Sequence, residues 1–170
     1  MKLKWINSTG GPLVCASSVA GGIWRGTRGS SIGGPESDYE RACDQVDFVS
    51  VIACGSAQVV VLGDEPLQSA FVVKSEGVIV VRWVSCVSSA HAASAIAKLP
   101  SVLPAIEEPT KFRLDDRGLI MFDAAADCID PAVVSNVDVK PGMFTVTTEK
   151  YKSEGCYEFL VHRFIRDQGH

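Results

Sequence analysis

What this sequence does not contain narrows its function first. No apolar run approaches the ~20 residues that a membrane-spanning helix needs. The opening MKLKWINSTGGP carries two lysines with no apolar stretch behind them, which predicts a chain without a secretory signal and a cytoplasmic location. A lipoprotein-like stretch, LVCASSVAGG, is too short to change that expectation. Histidine is scarce, at three residues, and the six cysteines include no CxxC pair and no His at metal-ligand spacing. The cysteines read as reduced thiols, mostly buried as small apolar side chains. Neither GxxxxGK[ST] nor a strand–GxGxxG–helix unit is present, so no familiar phosphate-binding loop is encoded. None of His91, His162 and the terminal His170 stands beside a nucleophile in a GxSxG-type signature. The expectation is a non-enzymatic protein with no metal and no cofactor.

Charge excludes further classes. The net charge of −4 disfavours non-specific attraction to nucleic acid or to an anionic membrane. The 46% hydrophobic and 21% charged content fits a soluble globular chain, and 170 residues suit one domain.

What is present is mostly strand. FVSVIACGSAQVVVLG reads as two strands with Gly55-Ser56 at the tip of a hairpin. SAFVV and VIVVRWV flank a KSEG tetrapeptide, and MFTVTTEKY and CYEFLVHRF flank a second one. In the last of these, Tyr157, Phe159 and Val161 share one face, with Glu158, Leu160 and His162 on the other. Two helices are expected. The first spans 37–46, where Ser37 and Glu40 make a capping box and Tyr39, Ala42, Cys43 and Val46 form an inward stripe. The second spans 88–99, alanine-rich and stopped by Pro100. The fold class is α+β, mainly antiparallel sheet with two principal helices. Three prolines in residues 100–109 separate two halves, roughly 1–100 and 105–170. Each half has a strand ending in acid, VVVLGDE or LIMFDAA, followed by a KSEG hairpin, which suggests a weak internal duplication.

Three features could carry function. Residues 21–35 hold six glycines without periodicity and read as a surface loop, anchored on the core through Ile23 and Trp24, with Arg25 and Arg28 beside them. Residues 36–47 carry Glu36, Asp38, Glu40, Asp44 and Asp47 against Arg41 alone, a local balance of −4. Such a patch is either a solvated helix face or a surface that attracts a basic partner. The third feature is the Asp64-Glu65 pair, where a strand runs into a turn. Adjacent strand residues point to opposite faces, so neither this pair nor Asp115-Asp116 is preset to share an ion.

The words STGGP at 8–12, WRGT at 24–27, DYERAC at 38–43, VVLGDEP at 60–66, VIVVRWV at 78–84, LIMFDAA at 119–125 and VKPGMFTV at 139–146 occur in that order. The series resembles the immunity protein 21 family of bacterial polymorphic toxin systems, from Trp5 to about Arg163. Departures are a longer glycine-rich insert after Trp24 and cysteines at Cys54 and Cys86. The resemblance implies a protein that binds a cognate toxin and protects its producer, and it brings no catalytic residue with it. The toxin is expected to be basic, such as a nuclease. The candidate partner-binding residues are Asp38, Asp44, Asp47, Asp64, Glu65, Trp24 and Arg25, with Asp38, Asp44 and Asp47 facing outward. The rival expectation is a small cytoplasmic enzyme or ligand-binding protein with a site near Asp64 and Glu65 and the Arg25/Arg28 loop. A deep polar pocket would favour it, and a shallow acidic surface would favour toxin binding.

Overall fold

The computed structural model describes residues 3–63, 65–75, 77–127, 129 and 134–167. Among these lie ten strands and three short α-helices. In chain order they are β1 Leu13–Ala16, α1 Ser18–Ile23, α2 Asp38–Cys43, β2 Ser50–Cys54, β3 Ala57–Leu62, β4 Ser69–Lys74, β5 Gly77–Cys86, α3 Ser89–Ala97, β6 Thr110–Leu114, β7 Leu119–Asp123, β8 Ser135–Val137, β9 Gly142–Ser153 and β10 Tyr157–Arg166. The strands form two antiparallel five-stranded sheets, in the orders β2-β3-β1-β7-β8 and β4-β5-β10-β9-β6. The α+β, mainly antiparallel class read from the sequence is the class observed.

Side-chain alternation stacks these elements in layers. Leu13 and Cys15 of β1, Val60 and Leu62 of β3, and Leu119 and Met121 of β7 face Phe71, Val80, Phe112, Phe144, Val146 and Phe164 of the second sheet, forming the central core. The opposite face of the first sheet, with Val14, Val59, Val61, Ile120 and Phe122, is covered by Ala20 of α1, Trp24 and Ala42 of α2. The opposite face of the second sheet, with Val72, Ile79, Val81, Phe159 and Val161, is covered by Ala92, Ala95 and Ile96 of α3 and by Leu99. Each sheet is therefore sandwiched, and its central strands are apolar at consecutive positions because both faces are dry. This accounts for the unbroken Val59–Leu62 run. Full burial of each such side chain is worth about 1.5–3 kcal/mol over exposure.

The halves seen in the sequence interleave. The first sheet takes β1, β2 and β3 from the first half and β7 and β8 from the second, while the second sheet joins β4 and β5 to β6, β9 and β10. The two KSEG tetrapeptides turn differently. In the first, Lys74 pairs with Gly77, so the glycine opens β5, its α-carbon so near Phe164 O that a Cβ would sit 2.6 Å from it. In the second, Ser153 pairs with Tyr157, and Gly155 sits inside the loop at φ 69°. The same four residues give two turns because the strand register, not the tetrapeptide, sets loop length.

Two expectations need correction. The glycine-rich segment is not a loop throughout: residues 18–23 form α1, capped by Ser17 Oγ accepting from Ala20 N at 3.1 Å, and Gly26–Arg28 make a 3₁₀ turn. The first predicted helix ends at Cys43, not 46, with Asp44 as its C-cap. Its inward stripe breaks there, so Val46 is 85% exposed and Cys43 is exposed, while Ala42 is buried and Tyr39 packs on the core. The capping box does form, with Glu40 N donating to Ser37 Oγ at 3.2 Å and Ser37 N donating to Glu40 Oε2 at 2.7 Å. The second helix forms within the expected 88–99, as Ser89–Ala97 with Ser88 as its N-cap and Lys98 as its C-cap.

Candidate functional site

Asp38 occupies the first turn of α2, but it does not face a partner. Its side chain is 0% exposed and turns back over the helix N-terminus. One carboxylate oxygen accepts from Arg25 N at 2.9 Å, and the other from Ser31 N at 2.9 Å, Ser31 Oγ at 3.0 Å and Arg41 Nη2 at 2.6 Å. Burial pushes this carboxyl upward, but the bonds from Ser31, Arg41 and Arg25 together outweigh that and hold it below its ordinary value. The outward orientation expected for Asp38 is thus corrected: the acid serves as a hub that ties the glycine-rich segment to α2. Trp24 is likewise unavailable as a contact residue. It is 3% exposed, its Nε1 donates to Ala124 O at 2.9 Å, and its ring packs edge-on against Phe122.

The other acidic residues remain at the surface, and the fold gathers them. Asp38 pairs with Arg41, so the two cancel and the local balance of −4 rests on Glu36, Glu40, Asp44 and Asp47, all exposed. Glu40 is engaged by its capping bonds to Ser37, which hold its carboxyl low. The C-terminus of α2 lies against the turn that follows β3. Gly63 approaches the 45–47 backbone so closely that a Cβ on it would lie 2.3 Å from Asp47 O and 3.1 Å from Gln45 O. Asp44, Asp47 and the exposed Glu65 therefore share one rim, although Glu65 lies 18 residues beyond Asp47 in the chain. Asp64, the fourth acid proposed for this rim, lies outside the described residues.

Beside the rim is a small cleft of about 160 Å³, lined by Gly10, Gly11, Pro12, Ala42, Cys43, Gln45, Gly63, Glu65 and Pro66. Its far wall is the STGGP segment, held by Asp123 at the end of β7, whose Oδ2 accepts from Thr9 N at 2.6 Å and Thr9 Oγ1 at 2.7 Å. Gly11 is required there, since a Cβ would meet the Tyr39 ring at 2.5 Å. The acid that ends LIMFDAA thus shapes the cleft from behind. Arg25 and Arg28 do not line it: Arg25 is exposed, and Arg28 pairs with Asp127 on the surface. The cleft is small, and Glu65 is the acid among its lining residues.

His162 is buried beside a hydroxyl. His162 Nδ1 lies 3.0 Å from Thr148 Oγ1 on the adjoining strand, and Thr148 Oγ1 donates to Glu107 Oε1. A hydroxyl that gives its proton to a carboxylate takes the Nδ1–H with its lone pair, which assigns the tautomer and leaves Nε2 as an acceptor without a partner. The imidazole cannot deprotonate that hydroxyl, so the His, Thr and Glu stand in the wrong order for nucleophilic activation. Burial first, and the Arg82 charge second, hold the imidazole well below its ordinary 6.5. Among the described residues no group of three or more His, Cys, Asp or Glu is placed to hold a metal ion, and no helix is long and apolar enough to cross a membrane. The residues missed from the sequence are Arg82, Glu107 and Thr148. For two of them a signal existed: Arg82 and Thr148 are polar residues at core-facing positions, in phase with Val78 and Val80 and with Phe144 and Val146.

Taken together, the described residues form an α+β sandwich of two antiparallel five-stranded sheets, with exposed acids near a small cleft. The chain belongs to the immunity protein 21 family, whose family model matches residues 4–155. Membership suggests an immunity protein and implies the binding of a cognate toxin. No curated protein and no solved structure matches the chain.

Proposed function

We propose that this protein protects the cell that makes it by binding a cognate toxin stoichiometrically in the cytoplasm, and that the acids Asp44, Asp47, Asp64 and Glu65 form the receiving surface. The observation that carries this reading is the meeting of the segment after α2 with Gly63, which brings the chain bearing the exposed Asp44 and Asp47 beside a cleft that Glu65 lines. A basic toxin suits such a rim. A nuclease must itself attract phosphates, so its active face presents Lys and Arg to which exposed acids are complementary. Family membership supports the binding role, and the charge of the rim supports the basic character of the partner.

The test is co-expression with the toxin encoded beside it. Wild-type protein should restore growth and co-purify with the toxin at a fixed ratio. Growth restored without any complex would point to destruction or modification of the toxin and remove the binding reading.

A further inference from the structure

The core face of the second sheet changes character beneath the rim. Val78 and Val80 give way to Arg82 on β5, Phe144 and Val146 to Thr148 on β9, and Phe164 to His162 on β10. All three polar side chains are buried, at 1%, 1% and 0% exposure. Burying an arginine is costly unless its donors find fixed acceptors, and the acceptors here are informative. Arg82 Nη2 donates to Glu65 O, and Arg82 Nη1 reaches Phe48 O at 3.5 Å. The amide of the same Phe48 donates to Glu107 Oε2 at 3.2 Å. Glu107 is held in turn by Thr148 Oγ1, and its segment is pinned to β9 by Ile106 N donating to Thr148 O at 2.9 Å. His162 Nδ1 closes the chain on Thr148.

Both segments that bring acids to the surface are therefore fixed by their backbones to one cluster, made of the buried Arg82, Thr148 and His162 and the half-buried Glu107. Phe48 follows Asp47 directly, and the carbonyl held by Arg82 is that of Glu65 itself. We propose that Arg82 and Glu107 are positioning residues of the toxin-binding rim: Arg82 from inside the sandwich and the half-buried Glu107 beside it set the spacing between the 44–47 and 65–66 segments, with Thr148 and His162 orienting Glu107. This rests on the reading of the rim as the receiving surface, and it adds that the rim is preorganised. A partner then meets carboxylates already in place and does not have to order them, which slows dissociation. The acids supply the field, and the cluster supplies its geometry.

The experiment has an arm that needs no toxin. In the free protein, Glu107→Ala should speed hydrogen exchange of the Phe48 amide about tenfold or more, the loss expected for one bond to a charged acceptor. Glu107→Gln retains an acceptor and should restore most of the protection. Thr148→Val, which preserves the side-chain shape, should loosen the same amide without the charge change. In the second arm, the purified, inactivated toxin encoded beside the gene is bound to each variant. Glu107→Ala should dissociate about tenfold faster while its association rate keeps the wild-type salt dependence, because every rim charge is still present. Lower stability with unchanged Phe48 exchange and unchanged dissociation would make the cluster structural only and overturn the proposal. Altered exchange with unchanged dissociation, in a protein whose Asp44→Lys/Asp47→Lys variant also binds normally, would locate the failure in the choice of rim.

Discussion

Asp38 and Arg41, one turn apart on α2, form an ion pair at 2.6 Å in which the carboxylate is fully buried. The same carboxylate also holds two backbone amides of the preceding segment, at Arg25 and Ser31. An acid that looked like part of a charged surface is thereby an anchor for the chain as far back as Arg25, thirteen positions before it.

Replacing Asp38 with Ala should cost about 3–5 kcal/mol, because it strands a half-buried guanidinium and two amides. Glu36→Gln, an exposed control in the same segment, should stay within about 0.5 kcal/mol. Urea denaturation measures both. The pH dependence has a definite sign. A carboxyl held below its ordinary 3.8 stabilises the folded state above that value, and the contribution is lost as pH falls through the folded value. The stability gap between wild type and Asp38→Asn should therefore be widest near neutrality and narrow below about pH 4.

His162 should make the protein sensitive to mild acid. Above 6.5 the imidazole is neutral in both states and the folded state loses nothing. Below 6.5 the unfolded chain takes up a proton that the buried imidazole refuses, so stability declines as pH falls. The slope approaches about 1.4 kcal/mol per pH unit until the folded group titrates. Denaturation midpoints between pH 8 and pH 5 should show this decline, and His162→Gln should flatten it. An equal slope in the variant would assign the acid sensitivity to other groups.

Reversing Asp44, Asp47 and Glu65 to Lys should leave thermal stability nearly unchanged, since each is exposed. It should slow association with the toxin and flatten the dependence of that rate on ionic strength. Trp24→Phe, in contrast, should leave association untouched and lower stability, since it removes the Nε1 bond to Ala124 O from a buried site. Stopped-flow association at several salt concentrations separates the two. Superimposable curves for the triple variant and wild type would move the interface off this rim.

Gly63→Ala should act on both properties at once. Its Cβ would sit 2.3 Å from Asp47 O, a backbone atom that cannot rotate aside, so the 45–47 segment must shift. Overpacking of this kind costs about 1–3 kcal/mol. Because the displaced segment carries Asp47, toxin affinity should fall further than the stability loss explains. Calorimetric binding at a temperature where the variant is fully folded checks this.

How much of this was legible in the chain follows from the range of the forces involved. The hairpin at Gly55-Ser56 and the capping box at Ser37 and Glu40 depend on residues within four positions of each other, and each formed where the sequence put it, while both KSEG hairpins formed with loop lengths that the strand register set. The acidic character of residues 36–47 was equally local. What the sequence could not decide was which acids stay outside. Asp38 and Asp44 differ by six positions and look alike in composition, yet Asp38 is buried because Ser31 and Arg25 fold back onto it, and that return depends on Trp24 finding Ala124 a hundred residues away. Helix periodicity assigned Val46 inward because nothing local marked Asp44 as the end of α2. LVCA looked like a fragment of a leader and became β1, the centre of the first sheet, because strands from both halves pair on its two edges. The approach of the 45–47 and 63–65 segments is a tertiary product: Gly63 lets its backbone touch that of Asp47, and Arg82 reaches Phe48 O and Glu65 O. No periodicity within either segment encodes that meeting, since its energy lies in contacts between chains of residues that only the closed sandwich brings within reach.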